Sequence, residues 1–280
     1  MRRMLTCLLL CAMALAGYAR PVPAQRVTAF DAKIGPESLL TYAQLAETLF
    51  KGATGNPDSG ELTTVEDKVL RQPGTKARVT LPEGARIGSV AAFLVRGEGR
   101  RYLVTLWSAV ADMGTPGDGA TILAIFPEGE REPTDVVSVQ TDVFCDTGDG
   151  KFLSIGPDDA FFIRNSHNNS NQSYLNTGLF HVVDGRLRRI AEVFTFDVRA
   201  SCAHSFQETL DWRVEPVSGN PYPSITATVK LSPADDCKTS KASPKPRVFT
   251  ESYRYDAAGK RFVPQGKGFG VLDAFNEKNM

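Results

Sequence analysis

The chain has 280 residues, 42% of them hydrophobic, and its 32 lysines and arginines are balanced by 32 aspartates and glutamates. That neutrality excludes the broad basic surface that nucleic acid or anionic lipid requires, while the apolar content is that of a chain able to bury a core. With only three histidines, neither a metal nor a cofactor is expected.

Arg2 and Arg3 precede an apolar run over residues 4–16, broken only by Thr6, and Val22-Pro23-Ala24 closes the stretch on small residues. This is the layout of a cleaved signal peptide, and the run is too short for a membrane anchor. Residues 1–24 are therefore expected to be removed, leaving a secreted or periplasmic protein with no membrane span. Their loss takes Arg2, Arg3 and Arg20 and no acid, so the mature chain becomes slightly acidic.

Residues 25–75 are expected to form a helical N-terminal segment. Pro36 suits a first turn, and Leu39, Leu40, Ala43, Ala46, Leu49 and Phe50 recur at helical spacing before Gly52. Thr63-Thr64-Val65-Glu66 fits a capping box, which predicts a second short helix ending near Arg71, ahead of Pro73-Gly74. Over residues 76–280 the apolar period becomes two. Runs at 89–95 and 101–107 flank Gly97-Glu98-Gly99, and 121–126 and 135–141 flank an acidic loop. Runs at 152–155 and 160–164 flank Gly156-Pro157-Asp158, 179–183 and 187–196 flank Asp184-Gly185, and 247–255 and 261–263 flank residues 256–259. Hairpins without helical crossovers predict a mainly β fold, an antiparallel hairpin meander of sandwich or barrel-like form. Residues 271–277 read as a short terminal helix.

One hairpin can be given a register. Leu210, Trp212 and Val214 alternate with charged residues, as Ile225, Ala227, Val229 and Leu231 alternate with polar ones, across Ser218-Gly219-Asn220-Pro221. Folding about that turn sets Leu210 opposite Val229, Trp212 opposite Ala227 and Val214 opposite Ile225, apolar against apolar. The same register carried outward sets Cys202 opposite Cys237, a structural disulfide in an oxidising compartment. Cys145 is then the free, buried thiol. His181 shares a strand face with Leu179 and Val183, opposite Arg188, as a structural histidine.

The chain shows no standard nucleophile, metal or phosphate motif, and no catalytic residue is assigned. Its most unusual stretch is 165–174, where Asn165, His167, Asn168, Asn169, Asn171 and Tyr174 are the candidate binding residues. Amides present a donor and an acceptor together, which matches sugar hydroxyls, and Tyr174 adds a stacking face. The ordinary alternative is a long turn stabilised by its own side chains. Asn168-Asn169-Ser170 and Asn171-Gln172-Ser173 also fit glycan-acceptor patterns. Arg96, Arg100 and Arg101 crowd one hairpin tip, Arg186, Arg188 and Arg189 another, and Lys260 and Arg261 a third. Converging tips would suit an anion, whereas separate ones merely solvate sheet edges. The expectation is an exported, non-catalytic binding or envelope-associated module, its partner an envelope glycan or another envelope protein. The alternative is a glycosidase-like hydrolase using scattered carboxylates such as Asp158 or Asp159.

Overall fold

The computed structural model describes residues 25–27, 33, 40–56, 61–110, 119–141, 144–148, 152–168, 173–197, 206–234 and 244–279. The alternating segments form three sheets. Strands β1 (Gln25–Val27), β2 (Thr54–Asn56), β3 (Glu61–Thr63), β4 (Lys68–Arg71), β5 (Arg78–Leu81), β6 (Arg86–Gly97), β7 (Arg100–Val110), β8 (Gly119–Pro127) and β9 (Asp135–Ser138) make the large sheet. Its order is β2-β3-β6-β7-β8-β9-β4-β5, with β1 on β6. Every pair is antiparallel except β4 with β9, which meet in parallel at Arg71 and Val137. Strands β10 (Phe144–Asp146), β11 (Phe152–Ile155), β12 (Asp158–Asn168), β13 (Ser173–Val183) and β14 (Arg186–Phe196) make the middle sheet. The small sheet is β15 (Phe206–Glu215), β16 (Ser224–Pro233), β17 (Arg247–Asp256) and β18 (Arg261–Pro264), followed by helix α2 (Gly268–Glu277).

The sheets stack, and the middle one is buried on both faces. Phe161, Ile163, Phe180, Val182 and Leu187 pack against Phe93, Val95, Val104, Leu123 and Ile125 of the large sheet. Their neighbours Ala160, Phe162, Leu179 and Val193 pack against Ile225, Ala227, Val229 and Phe249 of the small sheet. A strand covered on two sides has no polar face, which is why Ala160-Phe161-Phe162-Ile163 reads as a continuous apolar run. Helix α1 (Tyr42–Leu49) covers the far face of the large sheet, where Tyr42, Leu45 and Leu49 meet Trp107, Ile122 and Phe126. The fold is thus mainly β, with antiparallel hairpins in stacked sheets and no closed barrel among the described residues.

The predicted turns close where expected. Glu98-Gly99 and Asp184-Gly185 both take positive φ, as a two-residue hairpin turn requires. Strands β15 and β16 pair Leu210 with Val229, Trp212 with Ala227 and Val214 with Ile225, the register expected from alternation. His181 pairs with Arg188.

The N-terminal segment differs from its expectation. Only one described helix forms there, and its cap is Thr41, whose hydroxyl accepts from the Gln44 N–H while the Gln44 side chain accepts from the Thr41 N–H. No second helix opens at Thr63. Thr63, the expected cap, instead ends β3 in pairing with Thr54 and Arg86, and the Thr64 hydroxyl donates to the Pro82 carbonyl at 2.9 Å and accepts from the Ala85 N–H at 3.0 Å. Residues 68–71 then form β4, paired with β5 from Lys68–Leu81 to Arg71–Arg78. Lys68 ends helix α1 by donating to the Leu49 carbonyl, with its ammonium over the Phe50 ring. Segment 25–75 therefore supplies four strands to the large sheet as well as a helix.

Candidate functional site

The amide-rich candidate lies at the end of the β12–β13 hairpin, and the structure divides its residues into two groups. Asn165 turns inward and is 4% exposed. Its Nδ2 donates to the Val139 carbonyl at 3.1 Å, and its Oδ1 accepts from the Thr141 N–H at 3.0 Å. Both ends of the amide are engaged within the fold, so Asn165 brackets the middle sheet to the chain leaving β9. This corrects its place among the surface ligands. A cavity of about 30 Å³ beside it is lined by Ser138, Asn165, Gly178 and Phe180, among others. The buried Ser138 hydroxyl has no hydrogen-bond partner among the described residues. That volume suits one or two water molecules and no larger ligand.

The other group faces outward. Asn168 is exposed at the end of β12, and residues 169–172, including Asn169 and Asn171, lie outside the described residues. His167 and Tyr174 pair across the two strands and stack with ring centroids 5.0 Å apart and planes within 8°. Tyr174 continues onto Phe194 of β14 at 4.9 Å, and Phe194 onto Phe196 at 5.3 Å. His167, Tyr174 and Phe194 are each half-buried, so the outer part of this aromatic row meets solvent. Phe144 on β10, opposite Ser166, is 59% exposed at the same end of the sheet. Flat rings beside amides can stack on the apolar face of a pyranose while the amides bind its hydroxyls.

Phe194 was not among the expected residues. The Asp184-Gly185 turn alone would set Thr195 opposite Tyr174, but a bulge between Leu179 and Phe180 shifts the register and sets Phe196 there. Bulges depend on tertiary packing and leave no turn signature.

The carboxylates of the hydrolase alternative occupy different surroundings. Asp158 is fully buried on the face toward the small sheet, accepting from the Tyr222 hydroxyl at 2.7 Å and the Glu98 N–H at 2.7 Å. Burial raises its pKa, against the lowering effect of those two hydrogen bonds. Asp159, the next residue along the strand, accepts from the Arg96 backbone at 2.9 Å and from its guanidinium at 2.7 Å. Consecutive strand residues project to opposite faces, so these two acids do not flank a common bond.

The basic tips do converge, but through acids. Glu98, Asp184 and Lys260 are the three non-glycine residues with positive φ among the described residues, at 52°, 52° and 45°. All three meet. Glu98 accepts from the Asp184 N–H, and the Lys260 ammonium lies 2.6 Å from Asp184 and 3.9 Å from Glu98. Left-handed backbone is unfavourable for such residues and persists where surrounding contacts enforce it. Here the contacts are the tips of β6–β7, β13–β14 and β17–β18, one from each sheet. Arg96, Arg101 and Arg189 are likewise paired, with Asp159, Glu128 and Glu192. The tips thus form a joint between the three sheets in which Glu98 and Asp184 hold Lys260.

Cys202 and Cys237 lie outside the described residues. Cys145 is a free, half-buried thiol whose pKa burial pushes up to about 12, which leaves it unreactive at neutral pH. No described helix is long and apolar enough to cross a membrane, and no cluster of metal-ligating side chains occurs among the described residues. No protein-family model, curated protein or solved structure matches this chain.

Proposed function

We propose that this protein is an exported, non-catalytic binding module that holds an envelope glycan at the end of the β12–β13 hairpin. The observation that carries this reading is the partly exposed His167–Tyr174–Phe194 row at the end of β12 and β13, with Asn168 exposed at the next strand position, on the opposite face. The row sits on three hydrogen-bonded strands whose inner residues are locked between two other sheets, so the binding surface is held rigid before a ligand arrives. Preorganisation of that kind raises affinity by lowering the ordering cost. Asp158, held by Tyr222 and Glu98, and Asp159, held by Arg96, are each engaged within the fold, which weighs against either as the acid of the hydrolase alternative.

Export rests on the leader at residues 1–24 and on the hairpin register. Strands β15 and β16 pair without interruption from Glu215–Ser224 to Phe206–Pro233. Four residues further in the same register, Cys202 would oppose Cys237, and a bridge there adds about 3–4 kcal/mol of stability. Peptide mapping of the exported protein without reductant should find that bridge, with Cys145 as a thiol.

Titration with soluble peptidoglycan and lipopolysaccharide-derived oligosaccharides tests the glycan site. Tyr174→Ala should weaken binding about tenfold, the scale of one lost stacking contact. An Asn168→Ala, Asn169→Ala, Asn171→Ala triple variant should weaken it further. Unchanged affinity in both variants would remove this surface from the function.

A further inference from the structure

Sheet edges attract other strands, and this molecule protects all its described edges but one. Strands β1, β2, β5, β10, β11 and β18 run only three or four residues. Strand β14 runs 11 residues but carries Arg186, Arg188 and Arg189, which repel a like strand. Short length and clustered like charge are both defences against edge pairing. Strand β15 has neither. It runs 10 residues at the margin of the small sheet, with no proline, no lysine and no bulge in its pairing with β16.

Its two ends are unlike. Phe206 is buried against Phe196 and Phe275, and Glu208 accepts from the Phe196 N–H and the Asn276 side chain. The start of the strand is thereby covered by β14 and α2. Strand β11 also approaches β15, and Trp212 packs on Phe162 of β12 at 5.6 Å; among the described residues no strand pairs with the outer side of residues 209–215. Leu210, Trp212 and Val214 are half-buried on one face, and Thr209, Asp211, Arg213 and Glu215 are exposed on the other. Asp211 and Arg213 lie 3.8 Å apart within the chain, with side chains 58% and 72% exposed.

We propose that this edge pairs antiparallel with the same edge of a second copy, about a two-fold axis at Trp212. The free stretch is centred on that residue, so the register follows from the pattern. Leu210 meets the partner's Val214, Trp212 meets the partner's Trp212, and Asp211 meets the partner's Arg213. Apolar residues face apolar ones, and the charges oppose in sign at both symmetry-related positions, as an isologous interface demands. The small sheet becomes an eight-stranded sheet running through the dimer. A register one residue away would set Asp211 against the partner's Trp212 and lose both matches.

Sedimentation velocity over a range of concentrations tests this in the purified protein. The wild type should form a dimer that dissociates on dilution. Asp211→Arg and Arg213→Asp should each weaken dimerisation about tenfold or more, because each sets like charges opposite one another twice. The Asp211→Arg, Arg213→Asp double variant should dimerise like the wild type, as should an equimolar mixture of the two single variants. Circular dichroism should show each variant folded, since both side chains are exposed. A wild-type monomer at all concentrations, a dimer indifferent to either single change, or failure of the double variant to recover would each overturn the proposal.

Discussion

The middle sheet makes two contacts of opposite chemical character. Toward the large sheet its neighbours are hydrocarbon and aromatic rings, such as Phe93 of β6 against Phe161 at 5.2 Å and Phe152 at 5.4 Å. The polar groups buried beside that contact, Asn165 and Ser138, do not ionise. Toward the small sheet the contact holds ionisable groups: Asp158, His181, Glu208 and Glu251 are all buried there. Both ring nitrogens of His181 lack a hydrogen-bond partner among the described residues, and its ring rests edge-on against Phe262. The two sides of one sheet thus differ: one is held by packing, the Asn165 hydrogen bonds and the Arg96–Asp159 and Arg71–Asp135 ion pairs, the other by packing around buried groups whose titration burial shifts.

The largest effect should come from the contact with the large sheet. Phe161→Ala should destabilise the protein by about 3–5 kcal/mol, and Phe162→Ala, on the opposite face, by a similar amount. Urea unfolding of the Phe161 variant at several pH values should give a curve parallel to the wild type. A changed pH slope would mean that the two contacts are not independent.

The contact with the small sheet should show in pH dependence. Burial, assisted by the charge of Arg188, pushes the His181 pKa from 6.5 down to about 4. The unfolded chain then binds a proton that the folded one refuses, so stability is lost as pH falls from about 6.5 toward 4. The span corresponds to about 3 kcal/mol. Arg188, paired with it across β13 and β14, is the charged group that acts on this histidine, and Phe262 of the small sheet rests against its ring. His181→Leu should abolish this acid-side loss. Glu208 acts in the other direction. Burial raises its pKa from 4.5 to about 7, against its bonds from Phe196 and Asn276, so its contribution is lost as pH rises from about 4.5 through 7. Glu208→Gln should therefore gain stability on the alkaline side by about 3 kcal/mol or less. Thermal midpoints of both variants between pH 4 and 8 separate two slopes that partly cancel in the wild type.

The smallest effect lies outside both contacts. Thr41→Ala removes the cap of α1 and should cost about 1 kcal/mol with no change in pH slope, measured by the same urea titrations.

Much of this architecture was legible in the residues. The turns at Glu98-Gly99 and Asp184-Gly185, the register of β15 on β16 and the pairing of His181 with Arg188 are local consequences of alternation and turn chemistry. The N-terminal segment was not. Thr63 to Glu66 carries the residues of a capping box, yet Thr64 finds partners 18 and 21 positions away, and residues 68–71 find a strand to pair with. Asn165 shows the same limit at the candidate site, because an amide suited to a ligand is equally suited to bracketing two strands.

Alternation and turn dipeptides by themselves determined the class of fold and the hairpins, since each depends on residues close together in the chain. Only the tertiary structure decided the stacking of three sheets, the strands buried on both faces, the bulge that brings Phe194 to Tyr174, the joint of Glu98, Asp184 and Lys260, and the place of β15 at the margin of its sheet. Each of these depends on which distant surface arrives beside a residue, and no local pattern records that arrival.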